Sequence, residues 1–224
     1  MRSQHNLTVR TPLPCHLPPE EVVAALRTYV PVIKHQALVT RYERTTELGD
    51  CIADPFFYGG SPVSNPKERQ DAPEQYQNST SYSLGDGPFV AFNVYERITL
   101  IPGIASKEIN FPVVFQDAPD GVRARADAPA GVTVWTVFRV RPKPTDSEDV
   151  SPATSSPSTT RESSWNVGGW EAEVDRRREY ELVEWVTVET NSLLMPFVSR
   201  SMEGAHREIC QKVLDEVAVR FSWN

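Results

Sequence analysis

Few side chains in this sequence combine reactive chemistry with a suggestive setting, and His206 is the sharpest of them. Imidazole changes charge near neutral pH, so it can take or give a proton in that range. His206 interrupts an apolar stripe near its middle. If that stripe lines a cavity, the ring is placed to act as acid or base. The plain alternative is a core histidine bonded to a strand carbonyl, to Tyr95 or to Tyr42. Tyr95 is the second catalytic candidate. It shares one face of a strand with Asn93 and Arg97. Tyr and Asn can orient a ligand carbonyl, and Arg can hold a carboxylate or enolate. Against this, antiparallel strands usually have one wet face, and Arg97 suits solvent. Tyr42, Phe111, Trp135 and Trp185 are candidates for the walls of a ligand site, although core packing is the default for aromatic residues. Met195 and Met202 would add a deformable lining, and helix packing alone also explains them.

Other chemistries leave no trace. The four histidines, His5, His16, His35 and His206, include no i, i+4 pair, and zinc needs three or four convergent ligands. No metal site and no cofactor are expected. There is no Gly-x-Ser-x-Gly, and Gly59-Gly60 and Gly168-Gly169 stand outside any Walker or dinucleotide pattern. The common hydrolase, kinase and dehydrogenase classes are disfavoured. The net charge of −7, with scattered basic residues, gives no footprint for nucleic acid. Three cysteines, an odd and sparse number, argue against a disulfide scaffold and fit a reducing compartment. Residues 1–10 have no apolar signal-peptide core, and no apolar run is long enough to span a membrane. The expectation is a cytoplasmic protein.

Elements that could position these residues are readable along the chain. Residues 5–11 alternate as a strand. Pro18-Pro19-Glu20-Glu21 opens a short helix, with proline in the first turn and acids at the positive end of the dipole. Pro31 is expected to end or bend it, with a second short helical segment running through His35. Further strands are expected at 36–47, 89–101, 107–116, 122–127, 132–141 and 180–190, the fifth of these seven being polar. Residues 191–221 form the longest helical pattern. At ~100° per residue, Met195, Val198, Met202, Ala205, Ile209, Cys210, Val213 and Val217 fall within an arc of roughly 140°. Two stretches interrupt the order. Residues 58–87 have no periodicity and suit either a lid or, preferably, a solvated insertion. Residues 143–164 are rich in Ser, Thr, Pro and acids and are expected to be disordered. One strand and one helix after them are too little for a second core, so residues 1–224 are expected to form one domain.

A strand, two short helices, six strands and a long helix define an α+β fold. A seven-stranded antiparallel sheet would curl round the C-terminal helix. In this order, with Leu7-Thr-Val-Arg-Thr-Pro-Leu-Pro14 at the start and Asn191-Ser-Leu-Leu-Met-Pro-Phe-Val198 before Ala205-His206, the chain resembles the helix-grip superfamily. That superfamily includes birch-pollen-allergen, START and polyketide-cyclase types, and the chain is also similar to uncharacterised fungal members. The resemblance implies a cavity between sheet and helix and a hydrophobic small molecule as partner. It leaves two function classes: a carrier or sensor, and a cyclase, isomerase or pericyclic enzyme acting through orientation and shape. A third is a protein-interaction domain with the acidic Ser/Thr insertion as a phosphorylatable segment.

Overall fold

The computed structural model describes residues 1–58, 87–101, 105–144 and 179–222. The elements are β1 (Arg2–Pro12), α1 (Pro19–Leu26), α2 (Val30–Lys34), β2 (Val39–Thr45), β3 (Val90–Ile101), β4 (Ala105–Ala118), β5 (Gly121–Ala128), β6 (Val132–Pro142), β7 (Tyr180–Asn191) and α3 (Met195–Ser222). Two 3-10 turns, Asp50–Ala53 and Pro55–Tyr58, follow β2. Nearly all of the irregular stretch at 58–87, and of the insertion at 143–164, lies outside the described residues.

The seven strands among the described residues pair antiparallel in one sheet of order β1-β7-β6-β5-β4-β3-β2. This is the helix-grip arrangement. Strands β3 to β7 pair in sequence order, and β1 closes the far edge by pairing with the last strand, Leu7 opposite Val186 and Val9 opposite Glu184. Close packing of β5 on β6 needs a glycine at position 121: a Cβ there would meet the Phe138 carbonyl oxygen at 1.9 Å.

Because side chains alternate along a strand, the sheet has two faces with different coverings. The inner face carries Val9, Phe92, Val94, Phe111, Val113, Phe115, Val122, Phe138 and Leu182 into one core with α1, α2 and α3. Ile209, Cys210, Val213, Leu214 and Val217 are the buried stripe of α3 in that core. Met202 packs separately on Val186 and Val188. The outer face has its own cluster, in which Phe56 and Phe57 of the second 3-10 turn cover Ala91, Val114 and Trp135.

Three local features differ from the sequence expectation. Pro31 opens α2 rather than ending α1, as its fixed φ and missing N–H suit a first turn. Between the helices Tyr29 adopts φ 63°, packs its ring on Phe115 at 5.1 Å and donates its hydroxyl to Asp117 at 2.8 Å. The strand expected at 36–47 shortens to 39–45, and a register shift between Val39 and Arg41 brings both Val39 and Tyr42 to the inner core. The long helix begins at Met195, not 191, because β7 continues to Asn191 opposite Arg2 and the Asn191 side chain then accepts the Leu193 N–H at 3.0 Å in a turn. Lys34 and His35 pin α2 to α3 through Glu216, at 2.7 and 2.8 Å. No helix among the described residues is long and apolar enough to cross a membrane.

Candidate functional site

A cavity of roughly 300 Å³ lies between the inner face of the sheet and α3. Its existence follows from side-chain size. After Val122, the inner positions of β5 are Ala124, Ala126 and Ala128, and all three border the space. On either side stand larger residues, Phe111, Val113 and Phe115 of β4 and Val132, Val134 and Phe138 of β6. A row of methyl groups between taller side chains leaves a trough that α3 roofs without filling. The helix contributes Met202, Ala205, His206 and Ile209, spaced i, i+3, i+4 and i+7 on one face. Val32 of α2 and Gln36, Ala37 and Leu38 of the connection to β2 close one side.

The wall is mainly apolar, and its charged groups are few. Glu184 comes from β7, where its side chain is fully removed from solvent. Such a group needs hydrogen-bond partners, and α3 supplies two from successive turns. His206 Nδ1 lies 2.6 Å from Glu184 Oε1, and the Cys210 thiol donates to Oε2 at 3.3 Å. Burial pushes the Cys210 thiol well above its ordinary pKa, and the charge and hydrogen bond of Glu184 push it the same way. It is therefore a structural donor rather than a nucleophile. The second nitrogen of His206 has no hydrogen-bond partner among the described residues, and the ring borders the cavity. Glu96 of β3 also borders the cavity. Its carboxyl has no side-chain partner among the described residues, and burial raises its pKa.

Of the candidates named from sequence, the lining includes Phe111, Met202 and His206. Tyr42 is on the inner side but packs edge-on to Phe92 at 6.2 Å, away from the lining. Met195 is half-buried in the first turn of α3, about two turns before Met202. Asn93, Tyr95, Arg97, Trp135 and Trp185 are on the outer face. Alternation forces this for the β3 trio once Phe92 and Val94 face inward. Tyr95 stacks under Arg41 at 3.6 Å and reaches Glu43 at 3.4 Å. Trp135 donates to Asp54 at 2.7 Å, and Trp185 lies 5.4 Å from the Arg141 guanidinium. Tyr95 and His206 are thus separated by the sheet and do not share a site.

Glu96, Glu184 and the β5 alanines were not singled out from sequence, yet each leaves a signal there. Glu96 falls on the period-2 face Val90, Phe92, Val94, Ile98, and Glu184 on Leu182, Val186, Val188. A lone acid on an apolar strand face is the mark. The alanines hide in a strand whose other positions, Arg123, Arg125 and Asp127, make it read as polar. No group of three or more His, Cys, Asp or Glu side chains among the described residues is arranged to hold a metal ion.

The chain belongs to the family described as a domain of unknown function (DUF7053), whose model matches residues 2–219. No curated protein matches the sequence. Among solved structures, it is similar to TTHA0849 from Thermus thermophilus, with 11% identity, a TM-score of 0.44 and coverage of 97% of this chain and 99% of the other. It is also similar to Ara h 8.0201, with 12% identity, a TM-score of 0.39 and coverage of 97% and 99%. Likenesses this distant contribute nothing to the reading of the site.

Proposed function

We propose that this member of the family binds a hydrophobic small molecule in the cavity between sheet and α3. The observation that carries this is the cavity itself: an apolar trough over Ala124, Ala126 and Ala128, bordered by Glu96, Glu184 and His206. Small-molecule sites are typically built this way, mostly apolar with a few placed polar groups, and range from about 300 to 1,000 Å³. The ligand is then a compact apolar molecule with one or two polar functions, a description that fits a polyketide, a terpenoid or a lipid fragment. Those classes come from the resemblance to the helix-grip superfamily. The protein acts as a carrier of that molecule, or as a cyclase or isomerase working on it without metal or nucleotide. Phe111 and Met202 serve as ligand walls, and His206 as the polar anchor.

The test fills the trough. Ala126→Phe places a ring where the wall is lowest. A neutral apolar dye, N-phenyl-1-naphthylamine, should bind the full-length protein saturably, and the variant should weaken that binding at least about tenfold, or 1.4 kcal/mol. Circular dichroism should show the same fold for both. Dye binding that is indifferent to Ala126→Phe would place the ligand elsewhere and remove the proposal. Native mass spectrometry of protein from its source cells would then identify any co-purifying molecule.

A further inference from the structure

Holding an apolar ligand does not require a buried ion-pairing group, yet the cavity wall contains one. Glu184 is fully buried, and replacing such a group by an apolar residue of similar size is often neutral or favourable for stability. Its presence beside a cavity therefore asks for a use. The two oxygens are already assigned: Oε2 accepts from the Cys210 thiol and Oε1 faces His206 Nδ1. With Glu184 ionised, both of its oxygens can only accept, and Nδ1 is then the protonated nitrogen of the ring. The lone pair is then on Nε2, which has no partner among the described residues, on a ring that borders the cavity. This is the arrangement in which a carboxylate fixes the tautomer of a base and stabilises the imidazolium it becomes.

We propose that His206 is a catalytic base and acid, and Glu184 its positioning residue, for proton transfer on an apolar β,γ-unsaturated carbonyl compound with an enolisable C–H bound in the cavity. The proposal rests on the cavity being the ligand site. In the step, Nε2 takes the proton from the carbon beside the carbonyl. The C–H electron pair becomes the C–C π bond of an enolate, and the negative charge moves to its oxygen. The imidazolium, held by Glu184, then returns the same proton to another carbon of the conjugated system. One C–H bond breaks and one forms, the double bond shifts, and no oxidant, reductant or co-substrate is consumed. Thr136 of β6 borders the same cavity and brings a hydroxyl that can donate to the carbonyl oxygen. Cys210, committed to Glu184, takes no part in the step.

Two measurements on the full chain decide it. The first needs no ligand. In ¹⁵N-labelled protein at pH 8, the histidine ring spectra should show His206 protonated at Nδ1 and bare at Nε2. Glu184→Gln, which offers an N–H in place of an oxygen, should move the proton to Nε2. A proton already on Nε2 in the unaltered protein, alone or together with Nδ1, would overturn the proposal. The second uses 5-nitrobenzisoxazole, an apolar probe whose C3–H is removed by a base as its N–O bond breaks and 2-cyano-4-nitrophenolate leaves. The protein should accelerate this saturably. His206→Gln and Glu184→Gln should each lower kcat by about 100-fold, and the double variant should fall little further. If His206→Gln turns over the probe as fast as the parent while N-phenyl-1-naphthylamine still binds, the base is refuted and the ligand site stands. If the dye does not bind the parent, or Ala126→Phe leaves it bound, both proposals fall.

Discussion

The two faces of the sheet are built from the same strands and treat polar groups in opposite ways. On the outer face the polar groups answer one another. Asp54 accepts from Arg125 at 2.6 Å, from the Trp135 ring N–H at 2.7 Å and from the Phe56 backbone at 2.8 Å. Arg125 also meets Asp127 at 3.0 Å, Arg123 donates to the carbonyls of Phe56 and Phe57, Arg139 clasps Asp120 and Arg141 holds Glu181. On the inner face polar groups are rarer, and the Glu96 carboxyl and the second nitrogen of His206 have no side-chain partner among the described residues. Both border the cavity. Polar groups that neutralise one another hold a structure together, whereas half-buried groups left open keep their hydrogen bonds for water or a ligand. The contrast sets fastening on one face apart from the proposed ligand chemistry on the other.

The largest effect should come from Asp54→Ala. It removes one partner of Arg125 and the partner of the Trp135 N–H. Breaking a fully buried pair from one side costs about 3–5 kcal/mol, and because this pair is part-buried and Arg125 keeps Asp127, about 3 kcal/mol is expected. Urea unfolding should show this loss, while dye affinity per folded molecule stays unchanged. Weaker dye binding at full folding would mean that the outer face does shape the cavity.

Met202→Asp comes next. Met202 is 7% exposed and packs on Val186 and Val188. A carboxylate there should cost about 2–4 kcal/mol. Arg207→Asp, on the exposed side of the same helix, should cost about 0.5 kcal/mol through loss of its Glu203 pair. Equal unfolding midpoints for the two variants would contradict the orientation of α3.

Glu96 offers a smaller and opposite effect. Burial raises its carboxyl above the ordinary 4.5. A raised acid opposes folding once it ionises. Its penalty is absent below the unfolded pKa, grows as pH rises through the folded value and is complete above it. Glu96→Gln should therefore match the parent in stability at pH 4 and exceed it at pH 8, by about 1 kcal/mol. A pH-independent difference between the two would mean that the carboxyl is solvated.

Tyr95→Phe should do least. The hydroxyl makes one long, exposed bond to Glu43, so stability should move by less than about 0.5 kcal/mol and dye binding not at all. A change in dye affinity would return Tyr95 to the ligand site and undo the division of faces.

Local patterns determined much of this protein. The apolar stripe through Met202, Ile209, Val213 and Val217, the alternation in each strand and the proline-led short helices depend on residues within a few positions of one another, so element order and the α+β class were legible in sequence. Leu214 was the inner-face position of α3 that the stripe omitted, though it is 1% exposed. Alternation also separated Asn93, Tyr95 and Arg97 from Phe92 and Val94, but a strand has two faces and its sequence does not say which one a helix about 100 residues later will cover. Here both faces of β3 are partly buried, one beneath the core and one beneath Phe57, so hydrophobicity alone could not choose. Tertiary structure made that choice and sent Tyr95, Trp135 and Trp185 away from the cavity. It also joined Glu184 to His206, 22 positions apart, and set the β5 alanines between taller neighbours on β4 and β6. A cavity is a deficit of volume among strands that meet only on folding, and an ion pair across two elements exists only once both are packed. Neither has a local period to read.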